Sequence, residues 1–359
     1  MNNIYTIIMA GGSGTRFWPR SKAAKPKQYL NITGNESLLQ STINRFFNIS
    51  NPENIYVVSG KSQATILESQ TNIIPNKNLI YEPFGKNTLP CIGLAAMFVQ
   101  KVNPDGIMVV SPSDHLIKNN KLFKETALAA SNLAVKYKSI VTIGIKPSYA
   151  ATGYGYIQTE KEIETNNRIK QYKVKQFVEK PDESTADKYL KKGGYYWNSG
   201  MFVFKVSVFL EAVKKIAPNI FTGLTKIQSE IGTPEYDKTL DSVYRTFENI
   251  SMDYGIMEHA KNIYMVEGNF EWNDLGSWES VYLIDKKDNN GNSVSGEAIV
   301  LDSKNSYVYS DEGIIALIGL KDVVVVKDGN TFLVCKRENA EDVKKITDKL
   351  KAENKDQYL

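Results

Sequence analysis

The chain has 359 residues, of which 42% are hydrophobic and 23% are charged, and this balance is ordinary for a globular protein. A net charge of +4 is too weak over this length to indicate a nucleic-acid partner. No apolar run reaches the length of a membrane span, and the N-terminus lacks the cationic start of a signal peptide. The chain has two cysteines, which argues against a disulfide framework or a zinc site. These features predict a cytoplasmic protein without a membrane partner.

The region up to about residue 145 alternates short apolar strands with helical patterns. Buried parallel strands are predicted at Ile4–Met9, Ile55–Val58 and Ile107–Val110, and helices at Leu38–Phe47, Leu122–Tyr137 and from Thr88 onward. This alternation predicts an α/β fold with a doubly wound, mostly parallel sheet. Ligands of such sheets bind at the carboxyl ends of the strands.

A glycine-rich stretch follows the first predicted strand and reads Ala10-Gly11-Gly12-Ser13-Gly14-Thr15-Arg16, with Lys27 a short distance on. Glycine lets the backbone approach a bulky ligand, and successive N–H groups in a tight turn form an anion-binding concavity. Arg16 and Lys27 add a planar guanidinium and a compact point charge for phosphate. The spacing excludes a P-loop and a dinucleotide fingerprint. We therefore predict a loop that holds nucleotide phosphates; the alternative is a flexible Gly-Ser loop with a solvated basic flank.

The same stretch carries a family resemblance. Gly11-Gly12-Ser13-Gly14-Thr15-Arg16, Pro19 and Pro26-Lys27 stand at the signature spacing of the nucleotidyltransferases that make nucleotide sugars. The variant Phe-Trp-Pro-Arg-Ser…Pro-Lys-Gln resembles the mannose-1-phosphate guanylyltransferase branch of that family. The resemblance implies a Rossmann-like catalytic domain in which Arg16 and Lys27 are catalytic. It also implies a set of nucleotide-binding residues in this loop: Ala10, Gly11, Gly12, Gly14 and Thr15.

Two further loops follow predicted strands. Asn87 and Thr88 precede a helix, where such residues are most often caps. The resemblance implies that Glu82, Asn87 and Thr88 contact guanine, and one residue can do both jobs. Asp114 lies just past the strand that ends at Val110, where a carboxylate is well placed to hold Mg²⁺. Asp114 could alternatively cap a helix or stabilise a turn, whereas the resemblance implies that it is a metal ligand.

The region beyond Thr142 carries candidates for sugar binding. The run Gly153-Tyr154-Gly155-Tyr156 suits either a substrate loop or a bulged edge strand. In the segment Val178–Pro181, the resemblance implies that Glu179 accepts sugar hydroxyls and that Lys180 meets the sugar phosphate. Asn198 resembles the family's sugar-contacting amide, which a mismatched sugar would leave unpaired. The predicted sugar-phosphate-binding residues are Gly153, Glu179 and Asn198, with Lys180 as a third catalytic residue.

The motif Trp272–Trp278 supplies a second candidate metal ligand, Asp274. Asn-Asp before Leu-Gly is also ordinary turn chemistry, but the resemblance pairs Asp274 with Asp114 as the two Mg²⁺ ligands. A polar patch over residues 286–292 follows. It marks the predicted boundary between a catalytic domain, 1–285, and a C-terminal domain, 291–359.

The predicted C-terminal domain consists of short β patterns and a closing helix. The β patterns lie at Ala298–Leu301, Tyr307–Tyr309, Ile314–Ile318, Val323–Val326 and Phe332–Cys335, and the amphipathic helix at about Ala340–Lys351. The resemblance implies a small left-handed β-helix-like domain. Whether the chain forms a homodimer stays open at this point. The further domain of bifunctional relatives is not found in the sequence, so isomerase activity is not expected.

The resemblance implies one reaction for the whole chain. Guanylyl would pass from GTP to α-D-mannose 1-phosphate with the help of Mg²⁺, giving GDP-mannose and pyrophosphate. Two alternatives stay open: a guanylyltransferase for another sugar 1-phosphate such as a heptose, and a non-catalytic regulatory homologue that binds the nucleotide sugar. A regulatory homologue would be expected to lose cationic or metal-binding positions. Those positions are present here as Arg16, Lys27, Asp114, Lys180 and Asp274.

Overall fold

The computed structural model describes residues 3–12, 14–163 and 168–359, which divide into two compact units. The first unit comprises Met1–Gly11, Thr42–Ser113 and Ile117–Trp272, and the second comprises Gly12–Ser41, Asp114–Leu116 and Asn273–Leu359. The second unit thus includes the glycine-rich loop from Gly12 onward together with the C-terminal stretch. The limits 1–285 and 291–359 stay a prediction about domains.

Strands and helices alternate through the first part of the chain, as the sequence predicts. The strands are β1 (Ile4–Met9), β2 (Ile55–Gly60), β3 (Leu79–Glu82), β4 (Ile107–Pro112), β5 (Leu116–Ile117), β6 (Ile140–Ile145), β7 (Tyr156–Glu162), β8 (Gln171–Val178), β9 (Tyr195–Lys205), β10 (Ile263–Glu267), β11 (Trp272–Asn273), β12 (Ser293–Leu301), β13 (Tyr307–Ile318), β14 (Val323–Asp328) and β15 (Thr331–Lys336). The helices are α1 (Leu38–Phe46), α2 (Ala64–Gln70), α3 (Thr88–Val102), α4 (Asn120–Tyr137), α5 (Glu183–Lys192), α6 (Val206–Ile216), α7 (Pro218–Glu230), α8 (Tyr236–Thr246), α9 (Trp278–Ile284) and α10 (Val343–Ala352).

Among the described residues, the first unit holds a nine-stranded sheet in the order β3-β2-β1-β4-β9-β6-β10-β8-β7. The four strands β3, β2, β1 and β4 pair in parallel. Strand β1 is buried along nearly its whole length, as its unbroken apolar run predicts for a sheet covered on both faces. The other half is mixed: β6 and β10 pair in parallel, whereas β9 runs antiparallel to β4, β6 and β7. The predicted α/β class is confirmed.

Helix α3 lies at the centre of the core of the first unit. Most of its side chains are buried, and it packs against α6 and α7. The cap of this helix is Asn87, whose Oδ1 accepts a hydrogen bond from the Thr88 backbone N–H at 2.9 Å. The helix begins at Thr88 as predicted, but Thr88 is its first residue rather than its cap.

The second unit contains a sheet in which β12, β13 and β14 pair in parallel and β15 runs antiparallel to β14. Two β patterns predicted separately, Tyr307–Tyr309 and Ile314–Ile318, form one strand, β13. The ladder with β12 shifts register between the pairs Ser295–Tyr309 and Glu297–Ile314, where β13 has the extra residues, and Gly296 at this point of β12 has φ of 92°. A Cβ atom there would lie 2.1 Å from the Ser310 carbonyl oxygen, so only glycine lets the two strands stay paired past this point.

The described residues contain no helix with the length and apolar character needed to cross a bilayer. Both cysteines are free thiols, Cys91 buried and Cys335 partly buried.

Candidate active site

The glycine-rich loop and the Lys27 segment touch within the second unit. Gly14 adopts a left-handed conformation, with φ of 57°, in which glycine is strongly favoured over other residues. A Cβ atom on Gly14 would lie 2.4 Å from the Lys27 Cβ and 2.8 Å from the Lys27 backbone nitrogen. Gly14 is therefore required both by its dihedral angles and by the close approach of Lys27.

Lys27 joins the two predicted metal ligands. Its buried ammonium donates a hydrogen bond to Asp114 Oδ2 at 2.9 Å and another to the Asp274 backbone carbonyl at 2.7 Å. Burial acts against ionisation of Asp114, but the charges of Lys27 and then His115 hold the pKa of that carboxyl below its usual range. The Asp114 carboxylate thus stays ionised at neutral pH, with a cation fixed beside it.

An open cleft of the second unit brings the predicted phosphate-binding and metal-binding residues together. Among its lining residues are Gly14, Thr15, Arg16, Lys27, Asp114 and Asp274. Arg16 is exposed at this cleft, whereas Lys27 is buried. His115 and Lys344 also line it, and neither is among the predicted site residues. The cleft combines backbone of a glycine loop, several cations and two aspartates, a composition suited to a polyphosphate and a hard cation.

The Phe-Trp-Pro-Arg-Ser stretch attaches the glycine-rich loop to the C-terminal part of the second unit. The ring of Phe17 packs on that of Trp278 with centroids 4.9 Å apart, and the guanidinium of Arg20 lies 4.0 Å from the Tyr309 ring centroid. The next lysine, Lys22, pairs with Asp328 at 2.7 Å. In the sequence this stretch carries the resemblance to one branch of the family, and no local pattern indicates a structural role for it. Its role is visible only once the C-terminal sheet is in place.

In the first unit, Glu82 is buried beneath the start of the glycine-rich loop. Its Oε1 accepts a hydrogen bond from the Tyr244 hydroxyl at 3.0 Å. Burial raises the pKa of Glu82 to about 7, against the opposing hydrogen bonds from Tyr244 and Cys91. A Cβ atom on Gly11 would lie 3.8 Å from Glu82 Oε2, and Ala10 is fully buried. The Glu82 carboxylate therefore lies close to Gly11, next to Ala10 in the chain, and already accepts a hydrogen bond from Tyr244.

Asn198 lies in strand β9, and hydrogen bonds hold both the oxygen and the nitrogen of its side-chain amide. Its Oδ1 accepts a hydrogen bond from Thr142 Oγ1 at 2.8 Å, and its Nδ2 donates to Asp253 Oδ1 at 2.7 Å. Its backbone N–H donates to the Gly155 carbonyl at 2.8 Å. This network holds the predicted sugar-contacting amide in one orientation.

Glu179 and Lys180 form an ion pair near this network, with Lys180 Nζ 2.5 Å from Glu179 Oε1. Burial by itself lowers the pKa of Lys180, but the hydrogen bond to Glu179 and the charge of that carboxylate raise the pKa above its usual value. Gly155 packs against the same carboxylate, since a Cβ atom there would lie 2.4 Å from Glu179 Oε2. A Cβ atom on Gly153, by contrast, would meet no described atom within 4 Å. Gly153 therefore has open space around it, and its part in sugar-phosphate binding stays a prediction.

Asp253 belongs to the same hydrogen-bond network and is not among the predicted site residues. It begins the single π-helical turn Asp253–Met257. Burial and the nearby charge of Glu179 raise the pKa of Asp253 to about 7. The one signal in the sequence is the carboxylate itself, which stands in the segment Ile250–Tyr254.

Both parts of the chain match known families. Residues 5–291 match the family described as Nucleotidyl transferase, and residues 296–350 match the MannoseP isomerase/GMP-like beta-helix domain. The chain belongs to the nucleotidyl transferase family and is an enzyme of that class. The predicted β-helix-like C-terminal domain is confirmed by the second match.

The similar proteins indicate which branch of the nucleotidyl transferase family the chain resembles. A mannose-1-phosphate guanylyltransferase of Escherichia coli is 34% identical over 96% of this chain and 75% of its own length, and one of Salmonella muenchen is 36% identical over 100% and 76%. A crystal structure from Thermus thermophilus, described as a mannose-1-phosphate geranyltransferase, superposes with a TM-score of 0.88 at 29% identity. The match covers 97% of this chain and 99% of that one. The predicted resemblance to the mannose-1-phosphate guanylyltransferases is confirmed.

Proposed function

We propose that the chain transfers guanylyl from GTP to α-D-mannose 1-phosphate, releasing pyrophosphate and forming GDP-mannose. The observation that carries the proposal is the contact of Lys27 with both Asp114 and Asp274 in a cleft lined by a glycine loop. The names of the similar proteins support the choice of guanylyl and mannose 1-phosphate.

We assign the GTP phosphates to the cleft of the second unit. Backbone N–H groups around Gly12 and Gly14 and the exposed guanidinium of Arg16 would bind the phosphate oxygens. One cation–anion contact near 4 Å contributes about 4 kcal/mol at an effective dielectric constant of ~20, so two or three such contacts suffice to hold a polyanion. Lys27 would act from its buried position, fixing Asp114 and adding positive charge beside it.

The donor set at Asp114 and Asp274 fits Mg²⁺. In the part of the chain that the structure describes, no group of three or more His, Cys, Asp or Glu side chains is arranged to hold a metal. The protein would therefore supply two carboxylates and leave the remaining positions to water and phosphate oxygens, which is the usual mode for Mg²⁺. When bound, Mg²⁺ would neutralise charge on the phosphates.

We assign the sugar hydroxyls to Asn198 and Glu179 and the sugar phosphate to Lys180. The amide of Asn198 is held by Thr142 and Asp253, so its remaining hydrogen-bonding capacity points in a fixed direction. An amide fixed in this way discriminates between epimers, because a wrong hydroxyl leaves it unpaired.

The reaction needs no general base. The phosphate of mannose 1-phosphate has a second pKa near ~6, so its oxygen is already anionic at pH 7 when it attacks the α-phosphorus of GTP. The bond from that phosphorus to the bridging oxygen of pyrophosphate then breaks. The task of the chain is to bring two anions together and to stabilise charge on the leaving group, which positioned cations can do.

The test is pyrophosphate release with Mg²⁺, crossing four nucleoside triphosphates with mannose, glucose, N-acetylglucosamine and heptose 1-phosphates. We expect turnover with GTP and mannose 1-phosphate, lost in Lys27→Ala and Asp274→Ala and kept in the control Lys25→Ala, an exposed lysine of the same segment. Turnover with another sugar would replace mannose. Saturable binding of a nucleotide sugar without turnover for any pair would move the chain to the regulatory class.

A further inference from the structure

A cation of the C-terminal helix lines the proposed phosphate cleft. Lys344 is the second residue of α10, and it borders the same cleft as Arg16, Lys27 and Asp114. Its place in the sequence, far beyond the Trp272–Trp278 motif, gave no indication of such a position.

Two apolar anchors set Lys344 beside Arg16. Val343 and Phe17 are both buried in one hydrophobic cluster of the second unit, and α10 packs on the short helical turn Thr15–Phe17. Each anchor has a cation as its chain neighbour, Lys344 after Val343 and Arg16 before Phe17. Packing of the anchors therefore brings the two cations to one cleft. The indole N–H of Trp18 also donates to the Tyr358 carbonyl at 2.8 Å, which holds the end of the chain against the loop.

The charge of Lys344 is available for a ligand. Within the described residues its ammonium takes part in no ion pair, whereas its neighbour Lys345 pairs with Asp342 at 2.7 Å. Lys27 differs again, since its ammonium is bound by Asp114 and Asp274. Among the described residues that line this cleft, Lys27 holds a protein carboxylate, whereas Arg16 and Lys344 remain for phosphate.

We propose that Lys344 binds the terminal phosphates of the nucleoside triphosphate, the part that leaves as pyrophosphate. The proposal rests on the function proposed above. It gives the C-terminal domain a direct part in the nucleotide site: α10 supplies a ligand-binding cation. An ammonium contact to phosphate is charge-assisted and is among the stronger hydrogen bonds.

The experiment compares Lys344→Met with the matched control Lys345→Met in both directions of the reaction. In Lys344→Met we expect the KM for GTP, and for pyrophosphate in the reverse reaction, to rise roughly tenfold. The KM for mannose 1-phosphate and for GDP-mannose should change less than twofold. Lys345→Met should match the wild type, Lys344→Arg should restore most of the affinity, and circular dichroism melting curves establish that all variants fold.

Unchanged KM values for GTP and pyrophosphate in a folded Lys344→Met would overturn the proposal, as would a defect confined to the sugar phosphate. Titration calorimetry with Mg²⁺-pyrophosphate alone keeps the test independent of turnover. If the wild type binds pyrophosphate but catalyses none of the tested reactions, the proposed function fails while weaker binding by Lys344→Met still supports the assignment. Equal binding by the two lysine variants and the wild type would refute it in that case as well.

Discussion

Gly14→Ala should damage the proposed phosphate site far more than it damages the fold. An alanine at φ of 57° costs about 1–2 kcal/mol in backbone strain. In addition, its Cβ would lie 2.4 Å from the Lys27 Cβ, and carbon atoms prefer about 3.5 Å or more. Lys27 must therefore move by roughly 1 Å, and a misplacement of that size at a catalytic group costs about a hundredfold in rate.

Gly329→Ala is the matched control. Gly329 has φ of 56°, and a Cβ atom there would meet no described atom within 4 Å. It carries the same backbone strain without the displacement of Lys27. We expect both variants to lose melting temperature, Gly14→Ala more than Gly329→Ala because of its added clash with Lys27, but a fall in kcat/KM for GTP of about a hundredfold only in Gly14→Ala. Equal kcat/KM in the two variants would show that the contact between Gly14 and Lys27 does not position the site.

Three further variants test the contacts of Asn198, Glu82 and Lys27. Asp253→Ala should raise the KM for mannose 1-phosphate about tenfold and leave the KM for GTP unchanged, because the Asn198 amide loses the oxygen that accepts its hydrogen bond. Equal effects on both substrates would contradict this. The folded-state pKa of Glu82 is raised to about 7, so the folded protein holds a proton there that the unfolded chain loses above about pH 4.5. The free energy of unfolding of the wild type, relative to Glu82→Gln, should therefore fall by up to roughly 3 kcal/mol as pH rises from about 4.5 to 7. The same difference between the two proteins in urea denaturation at about pH 5 and about pH 8 would count against this prediction. Lys27→Met should abolish turnover and raise the pKa of Asp114, which NMR titration of the carboxyl would test.

The local chemistry of single elements was predictable from the sequence. Strand β1 begins and ends where its apolar run does, and α3 begins at Thr88 as predicted. The glycine loop, Lys27 and the two aspartates come together as the family spacing implies. In each case either a local pattern or a short motif contained the needed information.

Contacts between distant segments were beyond sequence reasoning. The attachment of Phe17 and Arg20 to Trp278 and Tyr309 joins segments more than two hundred residues apart, and no local pattern encodes it. Asp253 stands at the start of a π-helical turn and contacts Asn198, which lies 55 residues earlier in the chain. The merging of two predicted strands into β13 depends on pairing with β12 on both sides of a register shift. Tertiary pairing decides such features, and propensity does not.

The composition of the second unit has a consequence for the order of events during synthesis. Residues 12–41 leave the ribosome about 230 residues before the C-terminal stretch with which they pack. At 5–20 residues per second this delay is on the order of tens of seconds. During that time Phe17 and Trp18 lack the apolar surface that later buries them. The loop that comes first in the sequence is therefore among the last parts of the enzyme to reach its working shape.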